Sequence, residues 1–409
     1  MQEKHLASRG STMLPRYRWV ILALSVAAHA GVIMTGLALA PLAPFVLGDL
    51  VSSRTELGLL ISALLVGAGI GSTPGGWLAD RSLRWTLVGG QILLAITVFT
   101  LSRVSSLQVS LALQWLGGLG FGAIVIASTR AVASWFPPHE RAMAMGINMA
   151  AAPLGNVLIS TALPFLGQAW GWRQALLPVC FLVLASGIAS AILFRRSPVD
   201  MQVKHEGSRK SVGVWEILKR RDTWLLTTAA ILLGGAEHAF RTYFLLHVTE
   251  VVLLPVVVGG WYLALAHGSG LVGRIGWGIV ADRWLGCDRE RVFAILPLLA
   301  ALAILLLGIG WGSPWILPVL AILFGLTGAG WVGVWALILL DRASSDSAGK
   351  EIGVGMTFTY VGVVLGPVLF GRGVDLTGSY QTMWIIVAAT VIPASAAAFM
   401  LRASRHRAA

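Results

Sequence analysis

Apolar residues fill this chain in blocks of about 20 from residue 17 to residue 401, each closed by a short polar or turn-forming stretch. A helix of about 20 apolar residues crosses the hydrocarbon core of a bilayer, so the pattern predicts a polytopic α-helical membrane protein. Twelve blocks can be drawn, at 17–40, 57–79, 86–102, 107–134, 142–168, 175–194, 223–247, 256–281, 292–311, 314–340, 352–372 and 381–401. Several are longer than a bilayer requires, which predicts tilt or extension past the headgroups. The longest polar stretch falls between the sixth and seventh blocks. The chain therefore divides into a six-helix bundle at 1–194, a cytoplasmic linker at 195–222 and a second six-helix bundle at 223–409. Trp215 to Leu218, set between basic residues, predicts a short amphipathic helix on the membrane surface.

Composition agrees with this class: 56% of residues are hydrophobic, 12% are charged, and there are 48 glycines and 17 tryptophans among 409 residues. The net charge of +12 would suggest nucleic acid in a soluble protein. In a membrane protein it follows from insertion polarity and attraction to anionic lipid, and no nucleic-acid partner is expected. Lys and Arg concentrate at 4–18, 81–84, 195–221, 283–291, 342–350 and 402–407, while the alternate loops hold Arg54, Arg103 and Arg173. The bias predicts both termini in the cytoplasm, in the inner (plasma) membrane of a bacterium. The first block is too long for a signal-peptide core and is expected to remain as a helix. Cys180 is expected in packing and Cys287 in solvent; two cysteines make neither a disulfide framework nor a metal site. There is no phosphate-cradling loop, no zinc-binding His/Glu pair and no activated nucleophile, so neither enzyme nor cofactor is expected.

One short signal occurs twice. Gly76-Trp77-Leu78-Ala79-Asp80-Arg81 ends the second block, and Gly278-Ile279-Val280-Ala281-Asp282-Arg283 ends the eighth. Two related halves with the same punctuation are the plan of a secondary transporter. In each copy the glycine is expected to permit close helix approach, and the aspartate to pair with loop cations and helix ends. Trp135-Phe136-Pro137-Pro138-His139-Glu140-Arg141, Gly171-Trp172-Arg173, Gly366-Pro367 and Asp375-Leu376-Thr377-Gly378-Ser379-Tyr380 complete the pattern.

With these segments the whole chain resembles the major facilitator superfamily. The resemblance implies twelve helices in two bundles, alternating access and function as a monomer. It also implies a conformational latch in which Asp80 pairs near Arg141 to hold the outward-open state, with Gly76, Arg81, Gly278, Asp282 and Arg283 in the repeated signal. Leu83 and Trp85 depart from the superfamily pattern. Gln114 stands where the drug/proton antiporters of the superfamily carry an arginine, which demotes proton-driven drug export.

Substrate chemistry is expected from charges inside spans, because an ionisable group in hydrocarbon faces a cavity or a partner. Arg274 lies eight residues before Asp282, about 12 Å up its helix and near mid-depth. The setting Gly273-Arg274-Ile275-Gly276-Trp277-Gly278 resembles the eighth helix of the monocarboxylate and oxalate/formate branch, whose arginine binds the substrate carboxylate. A guanidinium fork suits that role. The alternative reading pairs Arg274 with an internal carboxylate or carbonyl. His267 lies two turns away on the same face, and Tyr243, Tyr360 and Asn148 are further candidate substrate contacts. Glu237 is the deep carboxylate and a candidate proton carrier, with Arg241 one turn on able to pair with it. His29 competes as proton site and substrate contact. Arg130 sits toward the inner end of the fourth block, where snorkelling and loop pairing account for it.

The expectation is a carrier for a small organic anion, a carboxylate above all, coupled to protons or to a counter-substrate. The alternatives are efflux of a hydrophobic or cationic compound and, from a different class, a non-transporting scaffold or sensor on the same fold.

Overall fold

A computed structural model describes the backbone of residues 2–195, 214–284, 288–310, 313–342 and 348–408. The described elements are helical: α1 (Gln2–Gly36), α2 (Ala43–Val46), α3 (Arg54–Arg81), α4 (Leu83–Leu101), α5 (Leu107–Trp135), α6 (Pro138–Trp170), α7 (Trp172–Leu193), α8 (Val214–Leu218), α9 (Arg221–Glu250), α10 (Val256–Trp284), α11 (Arg289–Gly308), α12 (Leu317–Phe324), α13 (Trp331–Arg342), α14 (Ala348–Thr377) and α15 (Tyr380–Ala408). A five-residue π turn, Gly325–Ala329, joins α12 to α13, so they form one interrupted span. Much of the polar stretch at 195–222, and Cys287, lie outside the described residues; α8 occupies the position of the expected amphipathic helix.

Among the described residues eleven helices are long and apolar enough to cross a membrane. The thirty-residue α9 is long enough but too polar, carrying Arg221, Asp222, Glu237, Arg241 and Glu250. Its charge sets it apart before any contact is considered. The chain is an integral membrane protein, and its boundaries follow local chemistry. Ser82 caps α4 by accepting from the Trp85 amide, and Asp288 caps α11 by accepting from Arg291 at 2.9 Å. The turns before α7 and before α15 each pivot on a glycine of positive φ, Gly171 (82°) and Gly378 (67°), conformations that favour a residue without Cβ.

The described contacts fall into two units. One gathers the chain up to Ala38, Val66–Gly155 and the chain from Arg173 through α7. One close seam in it joins α3 to α5, where Gly67, Gly71 and Gly75 lie against the backbones of Trp115, Leu119 and Ala123. Their four-residue spacing puts all three on one face, which lets the backbones touch. Gly76 lies off that seam, with ordinary space beside Arg130 and Ile126, and Gly278 likewise faces only Leu337. The close approach expected of the two signal glycines is thus carried by their neighbours. In this unit Arg18 pairs with Glu140 at 2.8 Å, and Cys180 is buried with Sγ 3.2 Å from the Ala95 carbonyl.

The other unit gathers Leu39–Leu65, Asn156–Trp172 and the chain from α8 onward. Its central pair is α9 against α14, again backbone to backbone: Gly362 meets the Ile231 carbonyl and Gly366 meets Gly235. The first turns of α3 also belong here, bonded to α9, α14 and α15.

Candidate functional site

The four-residue spacing of Glu237 and Arg241 puts them on one face of α9, and they form an ion pair. Arg274 arrives from α10 and places its Nη2 3.7 Å from the same Glu237 Oε1. Its Nε donates to the Ala329 carbonyl at 3.2 Å, and Trp277, one turn on, donates to the Leu326 carbonyl at 2.7 Å. Both acceptors lie in the π turn, a feature that recurs at functional sites in membrane and soluble helices. Small residues bring it close enough: Gly270 rests on Gly325 and Ala329, Gly273 on the backbone of Leu326, and Gly333 on the backbone of Arg274. A side chain at Gly273 would push the π turn away and take with it the Ala329 carbonyl that accepts from Arg274.

The charges do not cancel. Two guanidiniums share one carboxylate whose side chain is 5% exposed, with Arg241 at 15% and Arg274 at 31%. The Arg241 Nε is buried with no hydrogen-bond partner among the described residues. Buried charge without a counter-charge is costly, and a buried donor without an acceptor costs as well. An anion with two oxygens would relieve both. On the same two helices, His238 has its Nδ1 3.1 Å from the Gly234 carbonyl and His267 is buried.

Residues 22–367 match the Major Facilitator Superfamily over most of the chain. The chain belongs to that superfamily. It is a transporter and not an enzyme, as the sequence led us to expect. The chain is 25% identical over 391 residues to the probable galactarate/D-glucarate transporter GudP of Bacillus subtilis (strain 168), covering 85% of this chain and 83% of that protein. It is 25% identical over 375 residues to the probable sulfoacetate transporter SauU of Cupriavidus necator, covering 84% of each. Among solved structures, a bacterial homologue of the human lysosomal transporter Spinster in an inward-facing, occupied conformation superimposes with a TM-score of 0.79. It has 14% sequence identity and covers 94% of this chain and 97% of that one, a likeness of fold.

The superfamily signal is built locally in each copy. Asp80 pairs with Arg130 of α5, which also donates to the Gly76 carbonyl at 3.0 Å. Arg141, the partner expected for Asp80, instead donates to the Phe136 carbonyl at 3.4 Å. Arg81 stacks on Trp77, 3.5 Å from its ring centre. In the second copy Asp282 pairs with Arg289 at 3.1 Å, and Arg289 reaches Asp341 at 2.5 Å; Arg283 is exposed. Arg130 in α5 and Arg289 at the start of α11 thus fasten the two aspartates, and no sequence signal marked Arg289 for that role.

The remaining candidates are dispersed. Tyr243 is fully buried, stacked on Phe370, and its hydroxyl donates to the Arg54 carbonyl at 2.6 Å. Tyr360 is half-buried on α14. His29 and Asn148 are buried in the other unit, where His29 Nδ1 and both polar atoms of the Asn148 side chain have no hydrogen-bond partner among the described residues. A cavity of about 320 Å³ opens at the base of α9, away from Arg274. Four of its charged walls are already paired, Arg220 with Glu351 at 2.8 Å and Arg342 with Asp222.

Proposed function

We propose that this transporter moves small organic anions, carboxylates in particular, with Arg274 as the group that grips the carboxylate. The observation that carries the reading is the two-to-one ratio of guanidinium to carboxylate around Glu237. With Glu237 ionised the centre holds one positive charge in excess, and a carboxylate on Arg274 cancels it with charge-assisted hydrogen bonds. Protonation of Glu237 withdraws the internal competitor and strengthens the grip, which couples a proton to the substrate; without the proton the same centre supports exchange of one anion for another. The bundles at 1–194 and 223–409, joined by 195–222, alternate access to the site, with both termini in the cytoplasm of a bacterium. The names of the two relatives, a sugar diacid transporter and a sulfoacetate transporter, support an anionic substrate. A positive centre is hostile to a cationic drug, and that reading loses ground.

The test is uptake of labelled D-glucarate and sulfoacetate by vesicles containing the purified protein, with Arg274→Ala alongside. Uptake by the parent, lost in the variant while its membrane insertion stays intact, supports the reading. Uptake by the variant at parental affinity refutes the grip, and a parent that moves no solute under any imposed gradient is a scaffold or sensor.

A further inference from the structure

The Asp375-Leu376-Thr377-Gly378 motif stands apart from the charged centre, and the structure gives it a partner. The Asp375 carboxylate accepts from the backbone amides of Arg54 at 3.0 Å and Thr55 at 2.8 Å and from the Thr55 hydroxyl at 2.6 Å. It therefore caps the first turn of α3 from a different helix, α14, more than 300 positions away in the chain. Arg54 itself is held on three further sides. Its carbonyl accepts from Tyr243 of α9 at 2.6 Å, its Nε donates to the Tyr380 hydroxyl at 3.1 Å, and its Nη2 pairs with Glu250 at 2.7 Å. Two turns deeper, the Ser62 hydroxyl donates to the Val364 carbonyl at 2.6 Å.

We propose that Asp375 is a gating residue: its cap on α3 is a latch that closes the outer end of the transporter and must release for that end to open. Alternating access requires segments of the first half to leave the second half at one end and rejoin them later. Every bond named here joins α3, from the first half, to a helix of the second half. α3 is also divided between the two contact units, its first turns with the second half and the rest, from Val66, with the first. The chemistry suits repeated breaking. Asp375 is exposed, so water replaces its bonds when the cap lets go, and each bond is individually weak against that replacement. The carboxylate also adds the favourable charge that a helix N-terminus attracts, which biases α3 toward the latched position. The inference depends on the superfamily's transport cycle and not on which solute is carried.

The test needs no substrate. In full-length purified protein with Cys180→Ser and Cys287→Ser, Ser62→Cys places a thiol beneath the latch, at a position 3% exposed. Ser128→Cys places a control at a position that is fully buried in the other unit. A maleimide reports the opening of each site. Adding Asp375→Ala is expected to raise the labelling rate at position 62 about tenfold and leave position 128 unchanged. Thr55→Val, which deletes one donor alone, is expected to raise it about threefold and carries the test if Asp375→Ala does not fold. Labelling at position 62 that stays at the parental rate overturns the latch, as does a parallel rise at both positions, which marks Asp375 as a residue of general stability.

Discussion

Glu237→Gln removes one negative charge from the buried centre and almost nothing from its volume. A carboxylate bound to Arg274 sits across a guanidinium from Glu237, about 7 Å away, where like charges at an effective dielectric near 20 repel by roughly 2 kcal/mol. Deleting that repulsion is expected to tighten carboxylate binding about thirtyfold. The empty protein moves the other way, because Arg241 loses its ion partner and Arg274 loses the carboxylate 3.7 Å from it. Breaking a buried pair from one side costs about 3–5 kcal/mol, so the unliganded variant should unfold at a lower temperature. The two effects together are diagnostic. The variant should therefore bind D-glucarate more tightly than the parent while its empty form unfolds earlier. Thermal unfolding of purified protein, with and without D-glucarate, measures both. A variant with parental affinity would show that Glu237 does not set the charge of the site.

Two further outcomes follow from the packing and the repeated signal. Gly362→Ala should destabilise the protein by about 1–3 kcal/mol, because its new methyl meets the Ile231 backbone and forces α9 from α14; a lower unfolding midpoint checks it, and a neutral change refutes the tight seam. Asp80→Asn breaks the pair with Arg130, whose side chains are 66% and 45% exposed, so the stability change should stay below about 1 kcal/mol. Its effect should fall on the rate of transport, measured by vesicle uptake against the unfolding midpoint.

Hydropathy made the spans legible because lipid imposes one demand at every position, and the helices follow it even where their ends shift by a turn. The same demand made α9 conspicuous, since Glu237 and Arg241 violate it four residues apart, a spacing that predicts their pairing directly. Arg274 was legible as a charge at mid-depth, but its neighbours were not. The π turn that supplies its carbonyl acceptor has no marker beyond the glycines of 325–330, and the approach of Arg274 to Glu237 depends on how α10 lies against α9. Likewise Arg54 read as an ordinary loop cation, because its amide and carbonyl contacts to Asp375 and Tyr243 depend on tertiary placement and on backbone atoms that every residue possesses. The repeated signal showed the converse: Asp80 and Asp282 were visible, yet the partners they take here, Arg130 and Arg289, depend on helix rotation.

The uneven charge around Glu237 has an electrical consequence for the cycle. On the proposed anion reading, with Glu237 ionised and no proton taken up with the cargo, an unoccupied carrier would reorient with one positive charge in its centre, whereas a carrier holding a monovalent anion would reorient neutral. A membrane potential, negative inside, would then act on the unloaded step alone, by up to about 2.3 kcal/mol per 100 mV for a charge that crosses the full field. It draws the vacant centre toward the cytoplasm and resists its return, so for net import the voltage-sensitive step is the resetting of the carrier rather than the passage of the cargo.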